Sequence, residues 1–359
     1  MRNQDQTELF SEQTFRSIDE EKELARSRKL VCPIVSFKDL RLIIGLSYSS
    51  RSLDKITIHP GRLIDGKIVE GGLRVLNRPY IHVFVQAKKG SFKSAHARAL
   101  LGLFPENVVS QDYVTGAGLR GSITDEGKFV PPLLFNWAKK CVIMDEVVKD
   151  RHGETTRMML QMLEGNHYVY KLGRKIENLD SRTMNFMNQD GSFTSGLGLY
   201  ERTGAFYTVT DSNVEVYAPF TCVMLSMYPL TFTLSSQLGQ ALLDRMLVAS
   251  YEVRDEERDD VEDGMYKFEF PTFEPPAEVE ITAEEYIKVK EMRNKKLTNK
   301  DPEFSKTRIL DNMLRAYAVV KGKLALDSGE MDAIFDLITK VSGAYWIQVA
   351  SPRKQGRHQ

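Results

Sequence analysis

The order of apolar and polar positions resolves into alternating strand-like and helix-like stretches. Ile81-His82-Val83-Phe84-Val85 is rich in β-branched and aromatic residues, stops at the Lys88-Lys89-Gly90 turn, and precedes a helical stretch from Ser94 to Leu103 closed by Phe104-Pro105. A second apolar run, Cys141-Val142-Ile143-Met144, leads into Asp145-Glu146, and a helical pattern resumes from Glu154 to Leu163. Two strands joined by such a crossover predict a parallel α/β sheet. A third strand is predicted over Thr221 to Ser226, and a helix over Gln237 to Ala249. Upstream, the pattern predicts helices over Asp19 to Lys29 and Phe37 to Ser47, with short strands near Ile56 to Ile58 and Arg62 to Val69. Downstream, Arg254 to Asp263 is acid-dominated and Phe268 to Pro276 sets prolines among aromatics, which suits a solvated linker or an extended strap. Two amphipathic helices, Glu303 to Val320 and Ser328 to Val341, are predicted last. The expected organisation is an N-terminal adaptor segment at 1–78, a core at 79–250 with a long hairpin insertion at 166–218, a linker at 251–302 and a helical unit at 303–345.

With 359 residues, 42% hydrophobic and 27% charged, the chain can bury a sizeable core in two or three structural units. Lys plus Arg equals Asp plus Glu at 49 each, so nucleic acid would be met by a local basic element and not by bulk charge. Cys32, Cys141 and Cys222 form no CxxC pair, and no His stands at ligand spacing from a Cys, so neither a disulfide framework nor a zinc site is expected. The sequence has no apolar run near the ~20 residues of a membrane span, and Met1 to Gln6 lacks the apolar core of a signal peptide. The expectation is a soluble intracellular protein of the cytoplasm, or of the nucleus in a eukaryotic host, with no membrane contact.

Ala87-Lys88-Lys89-Gly90-Ser91-Phe92-Lys93-Ser94 fits the phosphate-loop pattern GxxxxGK[ST] at Lys93 and Ser94, with Ala87 and Phe92 where glycines are usual. In such a loop, backbone N–H groups curl around phosphates, the Lys neutralises their charge and the hydroxyl binds Mg²⁺. Alone, the segment reads equally as a basic surface turn. Its place between a predicted strand and a predicted helix favours the phosphate loop, and Gly90 keeps the middle of the loop open to close backbone approach. The apolar strand ending in Asp145-Glu146 supplies the complementary carboxylates, Asp145 to hold Mg²⁺ through water and Glu146 to polarise an attacking water. Here the alternative is an acidic helix start favoured by the helix dipole.

In this order the motifs resemble the ATPase module of the minichromosome-maintenance (MCM) helicase family, a branch of the AAA+ proteins, from about Val83 to Val341. Gly90, Lys93 and Ser94 keep the second Gly, Lys and Ser of that family's loop. Tyr113-Val114-Thr115-Gly116-Ala117-Gly118-Leu119 is similar to the segment after its phosphate-loop helix, and Asn136 to Glu146 resembles its approach to the acidic pair. The resemblance implies an α/β fold, a P-loop AAA+ three-layer αβα core with a parallel sheet followed by a small all-helical lid. It also implies ATP and Mg²⁺ as cofactors and a homo-oligomer, a hexamer, acting on single-stranded or forked DNA in replication. Leu243-Asp244-Arg245-Met246 looks like the family's arginine-finger segment, making Arg245 the group offered to a neighbour's ATP; Arg308, in Thr307-Arg308-Ile309-Leu310, is the candidate second phosphate-sensing arginine, ahead of Arg315. Ser226-Met227-Tyr228-Pro229 departs from the family's Asn before Pro, so γ-phosphate sensing falls to Tyr228, passes to Ser226, or is lost.

His167-Tyr168-Val169-Tyr170-Lys171 and Asn213-Val214-Glu215-Val216-Tyr217 resemble the outgoing and returning strands of the family's channel hairpin. Lys171, Arg174 and Lys175 are the candidate DNA contacts, with Arg182, Phe186, Phe193 and Tyr200 in the insertion between the strands. No counterpart of the family's large N-terminal zinc and OB-fold region is expected in the roughly eighty residues before the loop. The compact size would suit a replication protein of a virus or mobile element. Two alternatives remain: an AAA+ remodelling factor of the MoxR or chelatase kind acting on protein partners, and an ATP-binding scaffold that does not hydrolyse.

Overall fold

The computed structural model describes residues 28–31, 33–111, 116–123, 129–145, 154–171, 184–188, 191–210, 213–227, 241, 243–297, 303–321, 328–342 and 345–348. Its first elements are β1 (Arg28–Val31), β2 (Ile34–Val35), α1 (Phe37–Ser50), β3 (Lys55–Ile58), β4 (Gly61–Ile64), β5 (Lys67–Glu70) and β6 (Arg74–Asn77). Next come β7 (His82–Ala87), α2 (Lys93–Leu103), β8 (Val108–Gln111), α3 (Gly116–Arg120), β9 (Ser122–Ile123), β10 (Phe129–Val130), a 3-10 turn (Leu133–Trp137) and β11 (Cys141–Asp145). After these are α4 (Glu154–Leu163), β12 (Tyr168–Lys171), β13 (Asn185–Met187), β14 (Phe193–Ser195), α5 (Gly196–Thr203), β15 (Phe206–Thr210), β16 (Asn213–Tyr217), β17 (Thr221–Met227) and β18 (Met246–Tyr251). The last are α6 (Asp255–Glu262), β19 (Glu278–Ile281), α7 (Ala283–Lys296), α8 (Glu303–Val320), α9 (Ser328–Val341) and β20 (Tyr345–Gln348).

Six strands make one all-parallel sheet in the order β2-β18-β7-β17-β11-β8. From β7 the chain travels to the far edge at β8, returns through β11 and β17, and then crosses to the other side of β7 as β18. The connections therefore diverge at β7. In an open parallel sheet, the crevice for a ligand forms at the carboxyl ends of the strands at such a switch point. All six residues of β7 are buried, as expected of a parallel strand covered on both faces. Alternate side chains feed two cores. Val83, Val85 and Ala87 pack with residues of α1, α2, α8 and α9; Phe84 packs with residues of α4, the 3-10 turn, β15 and β16. The result is a three-layer α/β core whose second covering layer mixes helix with a three-stranded antiparallel sheet, β12-β16-β15. Among the described residues no helix is long and apolar enough to cross a membrane.

Four features differ from the sequence expectation. The end of the stretch expected as helix, Gln237 to Ala249, is strand β18, because a short apolar run flanked by polar residues suits a buried strand as well as a buried helix. Residues 37–50 of the expected adaptor segment form a core helix: Ser36 caps it through a Ser-x-x-Asp box with Asp39, and Phe37, Leu40, Ile43 and Leu46 are buried. Arg28 and Lys29, expected at the end of a helix, lie in β1, paired with β20. The stretch 251–302, expected as a linker or an extended strap, holds besides the strap α6, β19 paired with β3, and α7.

The strap crosses α1 closely. At Gly45 a Cβ would stand 2.0 Å from the Pro271 carbonyl oxygen, so only glycine admits the strap there. Phe273 N donates to Ser49 Oγ at 2.8 Å, and Arg41 Nη1 to the Lys267 carbonyl at 3.0 Å. Helices α8 and α9 have the bounds read from their amphipathic pattern, and with α7 they pack onto α1 and β18. Cys141 and Cys222 are free and buried on neighbouring strands, and burial raises both thiol pKa values, that of Cys141 to about 11.

Candidate functional site

The loop from β7 into α2 lies at the switch point. Gly90 has φ +78° and, among the described residues, nothing within 4 Å of where a Cβ would stand, so they leave the backbone open on that side. Phe92 stands at φ 57°, ψ 20°, in the left-handed region. For a residue with a side chain this conformation costs about 1–2 kcal/mol, which explains why glycine is usual there. Lys93 opens α2 and is buried. Its Nζ donates to the Ala87 and Lys88 carbonyls, both at 2.9 Å, and lies 3.4 Å from Ser91 Oγ. Ser94 comes next, exposed, in the first turn. This helix start has no side-chain cap and no acidic residue in its first turn, so its partial positive charge is not neutralised by its own side chains.

The same sheet edge carries the acidic strand. Asp145 is in register with Leu225, Leu225 with Val85, and Ser226 with Gln86, so β7, β17 and β11 all end at the loop's level. At ~4.8 Å per strand, the Asp145 backbone stands roughly 10 Å from β7. Ser226 and Gln86 are both buried. Glu146 and Tyr228 continue from these strand ends and lie outside the described residues. Among the described residues no three His, Cys, Asp or Glu side chains gather as a metal site.

Arg245 and Arg308 stand at the opposite edge. Met246, the first residue of β18, is in register with His82, the first of β7. Five residue steps of ~3.3 Å separate that edge from Tyr251, roughly 16 Å along the strand. Arg245 binds Glu164 through Nε at 2.6 Å and through Nη2, and donates from Nη1 to the Ala241 carbonyl at 2.5 Å. Arg308 donates to the Leu243 and Met246 carbonyls at 2.9 and 2.7 Å and lies 3.3 Å from Asp244. Burial lowers its pKa and Asp244 opposes the shift. Arg308 thus fastens α8 to the start of β18. Arg315 reaches the Tyr80 carbonyl at 3.5 Å, inside the same layer.

Strands β12 and β16 pair antiparallel, from Tyr168 with Val216 to Lys171 with Asn213, and β15 adds on the far side of β16. Lys171 is exposed at the end of β12, while Arg174, Lys175 and Arg182 lie outside the described residues. The aromatics of the insertion divide. Phe186 is buried against Phe135, ring centroids 4.5 Å apart, and is closed to any base, whereas Phe193 is 70% exposed.

Two residues that touch the phosphate-loop candidate carry no signal in the sequence. Tyr251 Oη donates to the Ser91 carbonyl, and His96 Nδ1 to the Phe92 carbonyl at 3.0 Å. The helical reading of its strand hides Tyr251, and His96 belongs to no motif. No protein-family model matches the chain, and no curated protein matches it.

Proposed function

We propose that the chain is an ATP-hydrolysing, ring-forming motor of the MCM-like AAA+ type that acts on DNA in replication. The observation that carries this is the strand order. The Lys93 loop comes directly after the strand at the switch point, the strand ending in Asp145 stands two places away, and the Ser226 strand lies between them. An uncapped helix start with a buried ammonium in the loop before it suits a polyphosphate.

The residues fit ATP. The open side of Gly90 leaves the loop backbone accessible, and Lys93 would exchange the Ala87 and Lys88 carbonyls for phosphate oxygens. Ser94 and Asp145 would hold Mg²⁺, which supplies charge neutralisation on the phosphates. Glu146 would accept the proton of the attacking water. Ser226, buried beside Gln86 at the end of the middle strand, is our choice as the sensing group in place of Tyr228. Arg245, at the far edge of its own sheet, would serve a neighbour's site, which makes a ring part of the proposal, whereas Arg308, taken up by the Leu243 and Met246 carbonyls, would fasten the lid helix α8 to β18. The helices α8 and α9 would form the lid.

The test is phosphate release by the purified chain with and without single-stranded DNA. Turnover should be DNA-stimulated and should fall at least ~100-fold in Lys93→Ala and Glu146→Gln, the scale of a lost general base. Absence of stimulated turnover, with Glu146→Gln unchanged, would sink the proposal. A protein-remodelling motor of the MoxR or chelatase kind is the second reading, favoured by the exposed pair Met187 (54%) and Phe193 (70%), opposite each other across β13 and β14. Replacing Lys171, Arg174 and Lys175 with Ala separates the two. Lost single-strand affinity supports the helicase; no affinity to lose supports the remodeller.

A further inference from the structure

The phosphate-loop candidate lacks the glycine that usually precedes its lysine, yet its backbone has the left-handed turn a glycine would take. Something other than residue 92 must favour that turn. The Ser91 and Phe92 carbonyls flank the strained residue, and each receives a side-chain hydrogen bond from a different part of the core. Tyr251, at the carboxyl end of β18 and fully buried, donates its phenol to the Ser91 carbonyl. His96, one turn into α2, donates from Nδ1 to the Phe92 carbonyl at 3.0 Å, which also accepts from Ala95 N at 3.0 Å and His96 N at 3.1 Å.

Both donors are themselves fixed. Phe37 of α1 lies edge-on to His96 at 4.9 Å and to Tyr251 at 5.3 Å between ring centroids. Phe268, from the strap, lies edge-on to His96 at 5.0 Å. The carbonyl can only accept, so Nδ1 carries the proton; burial pulls the His96 pKa down to about 4, keeping the ring neutral with that tautomer, and Nε2 is buried with no partner among the described residues. A buried ring nitrogen without a partner is unfavourable, so the Nδ1 contact is the polar interaction that this histidine retains.

We propose that Tyr251 and His96 are positioning residues that hold the Lys93 loop in its phosphate-binding turn, supplying from the core what a glycine at position 92 would supply from the backbone. The proposal rests on the nucleotide-binding function above. It predicts coupling: Tyr251 should matter while residue 92 has a side chain and matter little once it is glycine, for which the left-handed turn carries no steric cost.

The experiment titrates the full chain and its variants with a fluorescent non-hydrolysable ATP analogue, with circular dichroism to verify folding. Tyr251→Phe, which removes one oxygen, should weaken binding roughly fivefold, the scale of one hydrogen bond. His96→Leu should do likewise, and His96→Asn, which keeps an N–H near the Nδ1 position, should restore most of the affinity. In a Phe92→Gly background the Tyr251→Phe loss should shrink below about twofold, while in a Phe92→Ala background, which removes the ring but keeps the backbone penalty, it should persist. If the wild-type chain binds no analogue, the nucleotide reading falls and takes the proposal with it. If the wild type binds but Tyr251→Phe is unaffected, or its loss is equal in the Gly and Ala backgrounds, the positioning role alone is overturned. Should His96→Leu fail to fold, the Tyr251 series decides.

Discussion

Gly45→Ala sets two effects of opposite sign against each other in the middle of α1. Helix propensity favours alanine by roughly 1 kcal/mol in a helix interior. Against this, the new methyl would meet the Pro271 carbonyl oxygen at 2.0 Å, and Cβ contacts below 3.0 Å essentially do not occur, so the strap must retreat by at least the ~1 Å difference. Retreat weakens the Phe273 N to Ser49 Oγ bond (2.8 Å) and the Arg41 to Lys267 carbonyl bond (3.0 Å), each worth about 1 kcal/mol. It also loosens buried Phe270, and overpacking of this kind adds roughly 1–3 kcal/mol. The clash therefore wins, and Gly45→Ala should destabilise by about 2–3 kcal/mol. Gly102→Ala is the control: it is also a glycine within a helix, but among the described residues nothing lies within 4 Å of its Cβ position, so only the propensity gain applies. Urea unfolding at constant m-value reads both. A Gly45→Ala variant as stable as wild type would mean that the strap is a loose linker and that its contacts with α1 carry no energy.

The buried histidines set a pH dependence. Burial lowers the pKa of His82 to about 3 and of His96 to about 4, below the ordinary 6.5, so on acidification the unfolded chain takes up protons first. The stability they contribute is complete above pH 6.5 and falls by about 1.4 kcal/mol per pH unit for each histidine as pH drops below it. Glu257 and Glu285, whose pKa values are lowered by their Arg254 and Lys321 partners against the desolvation that raises them, act only below about 4.5 and leave that window to the histidines. Urea midpoints taken across the range should fall steadily, His96→Asn should remove close to half the slope, and a flat profile would refute the assignment. In the insertion, Phe186→Ala should cost roughly 3–5 kcal/mol of stability as a buried aromatic truncation, and Phe193→Ala within ~0.5 kcal/mol. If the insertion meets single-stranded DNA, Phe193→Ala should instead weaken that affinity by about 1–3 kcal/mol, measured by fluorescence anisotropy.

Elements whose hydrophobic period is long, or whose ends carry chemistry, are legible in the residues alone. Helices α8 and α9 have the bounds their amphipathic pattern marks, and the strands that lead into Lys88 and into Asp145-Glu146 are identified by the charged groups at their ends. Strand β18 is not legible, because Met246-Leu247-Val248-Ala249-Ser250-Tyr251 has no polar alternation to separate strand from helix; only its neighbours β7 and β2 decide. Strand β8 is hidden for a different reason, since four residues at a sheet edge make too short a pattern. The strap is composition without geometry: its prolines and aromatics signal an extended chain, but nothing local says that Gly45, more than two hundred residues away, receives it. His96 and Tyr251 are invisible because their roles exist only once α2 and β18 meet at the loop.

The divided placement of the charged candidates has its origin in the same topology. In a parallel sheet every strand ends at one edge, so groups just after strands, such as the Lys93 loop, or at strand ends, such as Ser226 and Asp145, gather there, while groups that precede a strand, such as Arg245 before β18, are carried to the other edge roughly 16 Å away. No rotamer of a single side chain spans that distance, and within its own chain the Arg245 guanidinium is matched by Glu164. In the proposed ring, Arg245 at one edge and the candidate phosphate loop at the other would be complementary surfaces of like subunits related head to tail, and a head-to-tail contact closes into a ring when its rotation permits. In the proposed ring the Arg245–Glu164 pair would hold the guanidinium until a neighbour's phosphates compete for it, and the proposed ATP site would be completed by assembly instead of by folding alone.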